Sequence, residues 1–398
     1  MKKKKKKVSI KSFNRIFTIL AILIIYLIVL KIFGGVGSKI INKDNTVVLY
    51  NNYEYVNKDE IYIDIVDEVY FSINDIRNMF DKYISYNETN KQLVSTYNMH
   101  VLEMKLDERQ VIVNGTTMEI QGALKEIFGK IYLPVTELGI VYDYDFSYSK
   151  ENKTIMIDSQ KNERKVTTIL DDISIVKEPK NFSQKVGKVS KDTVVTVLDE
   201  IGNYKKVRTD SGLIGYVKAK KTSETETSRE SFVEEKKELN VLWDYTDISK
   251  ITKNIQTKEG ALNVIIPKMI SLSEAEKNKA KVTIRDKNKE KLKFAAEQNI
   301  QIIPYITDND IENLKDMIDD YDKRKVLIDE IVLDCIKNNL GGVTLNLTKV
   351  NSENIQYFQR FILELKPRLK EFGKKLIINK NSLYTQEIYE IADYTIEK

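Results

Sequence analysis

The run Asn338-Asn339-Leu340-Gly341-Gly342-Val343-Thr344-Leu345-Asn346-Leu347-Thr348 passes from the end of a helical pattern into an apolar strand. Helical periodicity precedes it over 323–338 and resumes over 353–372, so the strand of 342–346 lies between two helices. The same alternation extends outward in both directions. Strands are expected at 239–243, 262–266, 300–305, 342–346 and 375–379, with a stub at 394–397, and further helices near 247–256 and 288–298. Strand runs that are apolar throughout, separated by helices, indicate buried parallel β/α units. In such a sheet ligands meet the C-terminal ends of the strands.

Upstream, 222–238 is rich in Ser, Thr and Glu without apolar periodicity and reads as a solvated linker. Before it, 166–221 holds short strands at 173–176, 193–197, 204–208 and 212–217, the spacing of a small all-β barrel. Residues 47–160 mix strands with helices, an α+β unit. Strands at 60–64 and 69–72 precede a helix over 73–83; a strand at 130–134 precedes a short helix at 135–138, and strands at 141–144 and 154–158 close the unit as a hairpin.

The first fifteen residues carry eight positive charges and no acid, and 16–35 then contains one charge, Lys31, near its far end. Twenty residues make about 30 Å of helix, enough to span a bilayer core. The expectation is a transmembrane helix over 16–35 with a cytoplasmic basic segment, 1–15, and the bulk outside the cytoplasm. Cleavage after the span, at Val36-Gly37-Ser38, is the alternative; the length of the apolar run favours retention.

Of 398 residues, 42% are hydrophobic, which supports two or three folded units. Setting the N-terminal eight aside leaves 56 basic against 59 acidic residues, so the body offers no footprint for nucleic acid. His100 is the sole histidine and Cys335 the sole cysteine, which removes the usual zinc sites, intramolecular disulfides and most Ser-His-Asp triads. No cofactor or metal is expected, and any catalysis falls to carboxylates.

Three stretches resemble known families. The order of strand, Leu133-Pro134, short helix, Tyr142-Asp143-Tyr144 strand and Asn152-Lys153-Thr154-Ile155 strand resembles the copper amine oxidase N-terminal-like domain, a stalk module of secreted Gram-positive proteins. With one histidine this copy is a poor copper site. The run from Gly202 to Val217 resembles the close of a bacterial Src-homology-3-like domain, with Tyr204 and Tyr216 where that family carries tryptophan. Leu239-Asn240-Val241-Leu242-Trp243-Asp244 resembles the first barrel strand of glycoside hydrolase family 18, in its cell-wall and spore-cortex branch, and 338–348 falls at that family's fourth strand and D-G-x-D-x-D-x-E motif.

On that resemblance Gly341 stands at the first Asp, Thr344 at the second, Asn346 at the third and Thr348 at the general-acid Glu. In the family the Glu protonates the glycosidic oxygen, and the third Asp supports the substrate's N-acetyl group. The resemblance therefore implies an incomplete (β/α) TIM-barrel-like domain over 239–398, a pseudoenzyme with every motif acid replaced. These 160 residues compare with about 250 for a closed barrel, so the region is expected to fold as an open sheet, to have its edges covered by a partner or self-association, or to be a fragment of a longer barrel. Trp243 and Tyr305 at strand ends, with Tyr204 and Tyr216, are the expected contacts for cell-wall glycan or peptidoglycan. Two alternatives stand beside this: an active hydrolase whose acid is Asp244, Asp308 or Asp310, and a stalk with no ligand.

Overall fold

The computed structural model describes residues 46–56, 59, 61–64, 67–97, 99–231, 264–275, 279–284 and 296–397, the Lys39–Ile41 and Val241–Trp243 strands, and positions 290 and 293. The basic segment 1–15, the span 16–35, the helix expected over 247–256 and Asp244 lie outside the described residues. Among the described residues no helix is long and apolar enough to cross a membrane.

The chain packs as two units, Met1–Met79 with Ile120–Ser231, and Phe80–Glu119 with Phe232–Lys398. In the first, one five-stranded sheet has Val69–Ser72 at its centre, between Ile61–Ile63 and Lys130–Pro134. A four-stranded sheet pairs Thr154–Ser159 antiparallel to Tyr144–Ser149 and parallel to Val47–Tyr50. The helix beginning at Ile73 ends at Met79, short of the expected Tyr83, because the Asp81 carboxylate accepts from Tyr83 N and draws that backbone into a turn. No helix forms at 135–138. Val135 N bonds Val69 O and Thr136 N bonds the Glu68 side chain, which extends the strand contact; the single helical turn is Gly139–Tyr142. Consequently Val141 and Tyr142 are helical, and the closing hairpin starts at Tyr144 after Asp143 in the left-handed region.

The β region is a seven-stranded antiparallel sheet. Beyond the four expected strands it includes Arg164–Thr168, Lys185–Val189 and Glu226–Arg229. The last of these is a correction to the linker reading of 222–238. Lys205 is buried, and its ammonium donates to Ser223 O at 2.8 Å and Thr225 Oγ1 at 2.9 Å, so burying this cation recruits the polar segment as a strand. Arg208, also buried, reaches the Asp158 carboxylate with both guanidinium nitrogens and joins this sheet to the Thr154–Ser159 strand.

In the second unit, residues 85–119 form a five-stranded antiparallel meander whose last hairpin turns at Asn114-Gly115, both with positive φ. It packs on the helices of the C-terminal region: Lys325 Nζ contacts Glu103 Oε1 at 2.7 Å and Oε2 at 2.9 Å, and Gln359 Nε2 donates to Tyr83 OH at 2.6 Å. A stretch expected to belong wholly to the α+β stalk is therefore shared between the two units.

The C-terminal strands are parallel and neighbours in chain order, from Val241–Trp243 through Val264–Ile266 and Gln301–Ile302, and from Lys268–Ala275 through Tyr305–Asp310, Gly342–Leu345 and Lys375–Asn379 to Tyr394–Ile396. The expected strand of 300–305 is two, divided at Pro304, which has no N–H to donate, and it runs on to Asp310. Lys268–Ala275 and Lys279–Ile284 form an edge hairpin that the periodicity did not reveal. Helices Tyr321–Lys337 and Ile355–Glu371 cover one sheet face, and Ile306, Val343, Leu345, Leu376 and Ile378 share their core. Inside it Arg324 and Glu364 pair through Nε–Oε2 at 2.7 Å and Nη2–Oε1 at 2.8 Å.

Candidate functional site

Parallel register sorts the other sheet face into rows. Tyr305 pairs with Thr344, Thr344 with Ile377, and Ile377 with Tyr394, which puts these four side by side. Two residues further along each strand, toward its C-terminal end, come Thr307, Asn346, Asn379 and Ile396. Below the second row Val264, Ile266, Ile303, Tyr305 and Ile377 form an apolar cluster. The face is thus oily at depth and polar at the strand ends, the layout of a site floor.

The polar row is neutral. Asn379 Nδ2 donates to Asn346 Oδ1 at 2.9 Å, locking two amides across neighbouring strands. Thr344 is fully buried and its hydroxyl donates to Ile303 O at 3.1 Å. Thr307 Oγ1 and Asn379 Oδ1 are buried and have no hydrogen-bond partner among the described residues. Two orphaned polar atoms flanking Asn346 in one row mark a place for a hydroxyl, an amide or water.

Thr348 is exposed beyond this row. Its backbone N and Oγ1 both donate to Asp308 Oδ1, at 2.9 and 2.8 Å, and Lys349 N donates to Asp308 Oδ2 at 2.6 Å. Asp308 is wholly buried, and with both oxygens engaged as acceptors it anchors the 348–349 turn. Tyr384 packs on Phe358 nearby, and burial together with the Asp308 charge pushes its phenol upward.

Among the other nominated residues, Gly341 sits at the entry of the strand, where an added Cβ would lie 3.2 Å from Gln301 Cβ and Ile303 Cγ1. Tyr305 is 3% exposed and belongs to the apolar cluster, so its ring is packing and not an open sugar platform. Trp243 ends its strand, with its side chain outside the described residues. Asp310 is exposed at the end of Tyr305–Asp310. In the first unit Tyr204 and Tyr216 are half-buried, and Tyr204 OH donates to Asn181 Oδ1 at 3.3 Å. His100 lies at a hairpin turn of the meander, and Cys335 is buried in its helix, which pushes its thiol up to about 12. Among the described residues no cluster of three His, Cys, Asp or Glu side chains is placed to hold a metal ion.

Thr307 and Asn379 escaped the sequence reading, since isolated Thr and Asn at strand ends carry no motif; only register puts them beside Asn346.

Residues 49–157 match the family model of the copper amine oxidase N-terminal domain. No curated protein matches the chain. Among solved structures, the chain is similar to a chitinase from Chromobacterium violaceum (12% identity, 40% of this chain and 55% of that one, TM-score 0.34). A chitinase from Bacteroides thetaiotaomicron is similar over 40% of this chain and 52% of its own, at 18% identity and TM-score 0.34. So is the Bacillus megaterium spore cortex-lytic enzyme SleL, at 14% identity, 40% and 41% coverage and TM-score 0.32. The chain spans about half the length of the first solved structures it matches.

Proposed function

We propose that this chain is a membrane-anchored envelope protein, exposed outside the cytoplasm, whose C-terminal sheet is a non-hydrolytic relative of family 18 glycoside hydrolases that binds or scaffolds wall glycan. One observation carries the reading: the polar row Thr307, Asn346 and Asn379, on the face of the parallel sheet away from the two long helices, contains no carboxylate, and Thr348 is tied to Asp308. Glycoside cleavage needs an acid within hydrogen-bond reach of the scissile oxygen. A neutral amide and hydroxyl row suits the hydroxyl and N-acetyl groups of a bound sugar, and Thr307 Oγ1 and Asn379 Oδ1 each lack, among the described residues, a partner that such a group would supply. The seven-stranded sheet, read as a Src-homology-3-like module, offers Tyr204 and Tyr216 as further contacts.

Incubation of the full chain with purified peptidoglycan and with chitin oligomers tests this. Retention of the glycan without release of reducing ends is expected, and Asn379→Ala weakens retention. Turnover abolished by mutating Asp308 or Asp310 would establish a relocated acid and overturn the reading. Absence of glycan binding would leave the stalk alternative.

A further inference from the structure

The seven-stranded sheet carries a charge the rest of the body does not. Residues 166–221 hold eleven basic against seven acidic side chains, an excess of four, within a body that is slightly acidic once the N-terminal lysines are set aside. Register shows where part of that excess lies. Val176 pairs with both Lys185 and Tyr216, and Tyr216 with Lys206, so these residues form one row across four strands. In flanking rows Lys188 stands opposite Ser174, and Tyr204 opposite Lys218. Ile175, Val207 and Val217 are buried on the other face, which puts lysines and tyrosines together on the outer one.

Lys185, Lys188, Lys206 and Lys218 make no ion pair or hydrogen bond to the described residues, whereas Lys180, Lys205 and Lys221 of the same sheet region are paired with Glu178, Glu200 and Asp171. Asp199, opposite Lys206, is the one acid in the row. Four ammonium groups on one face with a single facing acid repel one another unless an anion lies over them. Lys185 and Lys206 are three strand spacings apart, about 14 Å between backbones at ~4.8 Å each, too far for one small anion to bridge. A chain of anions spans that distance.

We propose that this face binds a linear polyol-phosphate polymer, the lysines pairing with its phosphodiesters and Tyr204 and Tyr216 packing against its carbon backbone. Nucleic acid fits less well, because base stacking needs open ring faces, and both rings are half-buried with the Tyr204 hydroxyl held by Asn181. The inference deepens the envelope reading by naming a ligand class, and it stands on the sheet's own register.

The full chain in non-ionic detergent is titrated with poly(glycerol phosphate) and with single-stranded DNA of matched charge, over a range of salt. Sedimentation with sacculi is compared before and after their phosphate polymers are stripped. Binding to poly(glycerol phosphate) that weakens as salt rises is expected. Lys185→Gln/Lys206→Gln/Lys218→Gln, with circular dichroism unchanged, lowers affinity at least ~10-fold and reduces the slope of log K against log salt by about 1 per lysine. Equal binding by the triple variant, or preference for DNA, overturns the proposal. Undiminished sedimentation with stripped sacculi also overturns it while leaving glycan binding in place. Loss on stripping upholds it and removes support for glycan binding.

Discussion

Replacing Arg324 with leucine should destabilise the second unit by about 3–5 kcal/mol, because it strands a carboxylate in the core. Arg324 and Glu364 are 6% and 1% exposed; the guanidinium spends Nε and Nη2 on the carboxylate and Nη1 on Ile318 O at 2.9 Å. Burial already pushes Glu364 above the ordinary carboxylate range, with Arg324 and Arg360 pulling against it. Without Arg324 the folded-state value climbs further while the unfolded value stays put. Such a group binds more protons folded than unfolded, so the variant's deficit is largest above the raised folded value and shrinks as pH falls toward the unfolded one. Urea unfolding followed by the fluorescence of Trp243, the sole tryptophan, at pH 5 and pH 8 measures this. Arg324→Leu/Glu364→Leu should recover most of the loss, since a well-packed apolar pair often matches a buried ion pair. A single-variant cost below ~1 kcal/mol, or a double variant no better than the single, would refute the reasoning.

Thr348→Glu should not create hydrolase activity, as Asn346 and Gly341 still lack carboxylates; a reducing-end assay on peptidoglycan checks it. Asp308→Ala should cost about 2–4 kcal/mol by orphaning three donors, and leave glycan retention close to wild type apart from the weakened fold, measured by thermal melting beside a binding assay. Gly342→Ala should prevent stable folding of the sheet, because φ is +152° and the new Cβ would lie 2.0 Å from Lys375 O; soluble yield and circular dichroism report it. In the first unit, burial raises the Glu68 carboxyl to about 7, with Glu137 and Asp64 adding to the rise against the Thr136 hydrogen bonds. That contribution favours folding at pH 5 and fades as pH rises through 7, so melting temperature should fall from pH 5 to pH 8 by less in Glu68→Gln.

The parallel strands and the two long helices were legible because each is an uninterrupted apolar run or a long 3.6-residue pattern. Gly342–Leu345, Lys375–Asn379 and Tyr321–Lys337 fall within two residues of expectation. Short elements decided by one side chain were not legible. Nothing local says that Asp81 ends a helix, that Lys205 recruits Ser223 and Thr225, or that Pro304 divides a strand. The meander had a signal in Asn114-Gly115 between β-like runs, which the reading passed over. For the site, the neutral residues Thr344, Asn346 and Thr348 were visible in the sequence, whereas the Asn346–Asn379 pair and the anchoring role of Asp308 depend on neighbours 33 and 40 residues away.

Glu103 and Lys325 are 222 residues apart, and the meander that carries Glu103 rests on helices made that much later in the chain. At ~5–20 residues per second a ribosome takes roughly 10–45 s to cover that distance. For that interval the underside of the meander is a newborn surface without its mate. Its exposed strands are then a target for chaperones and for accidental pairing with a neighbouring chain until those helices are made.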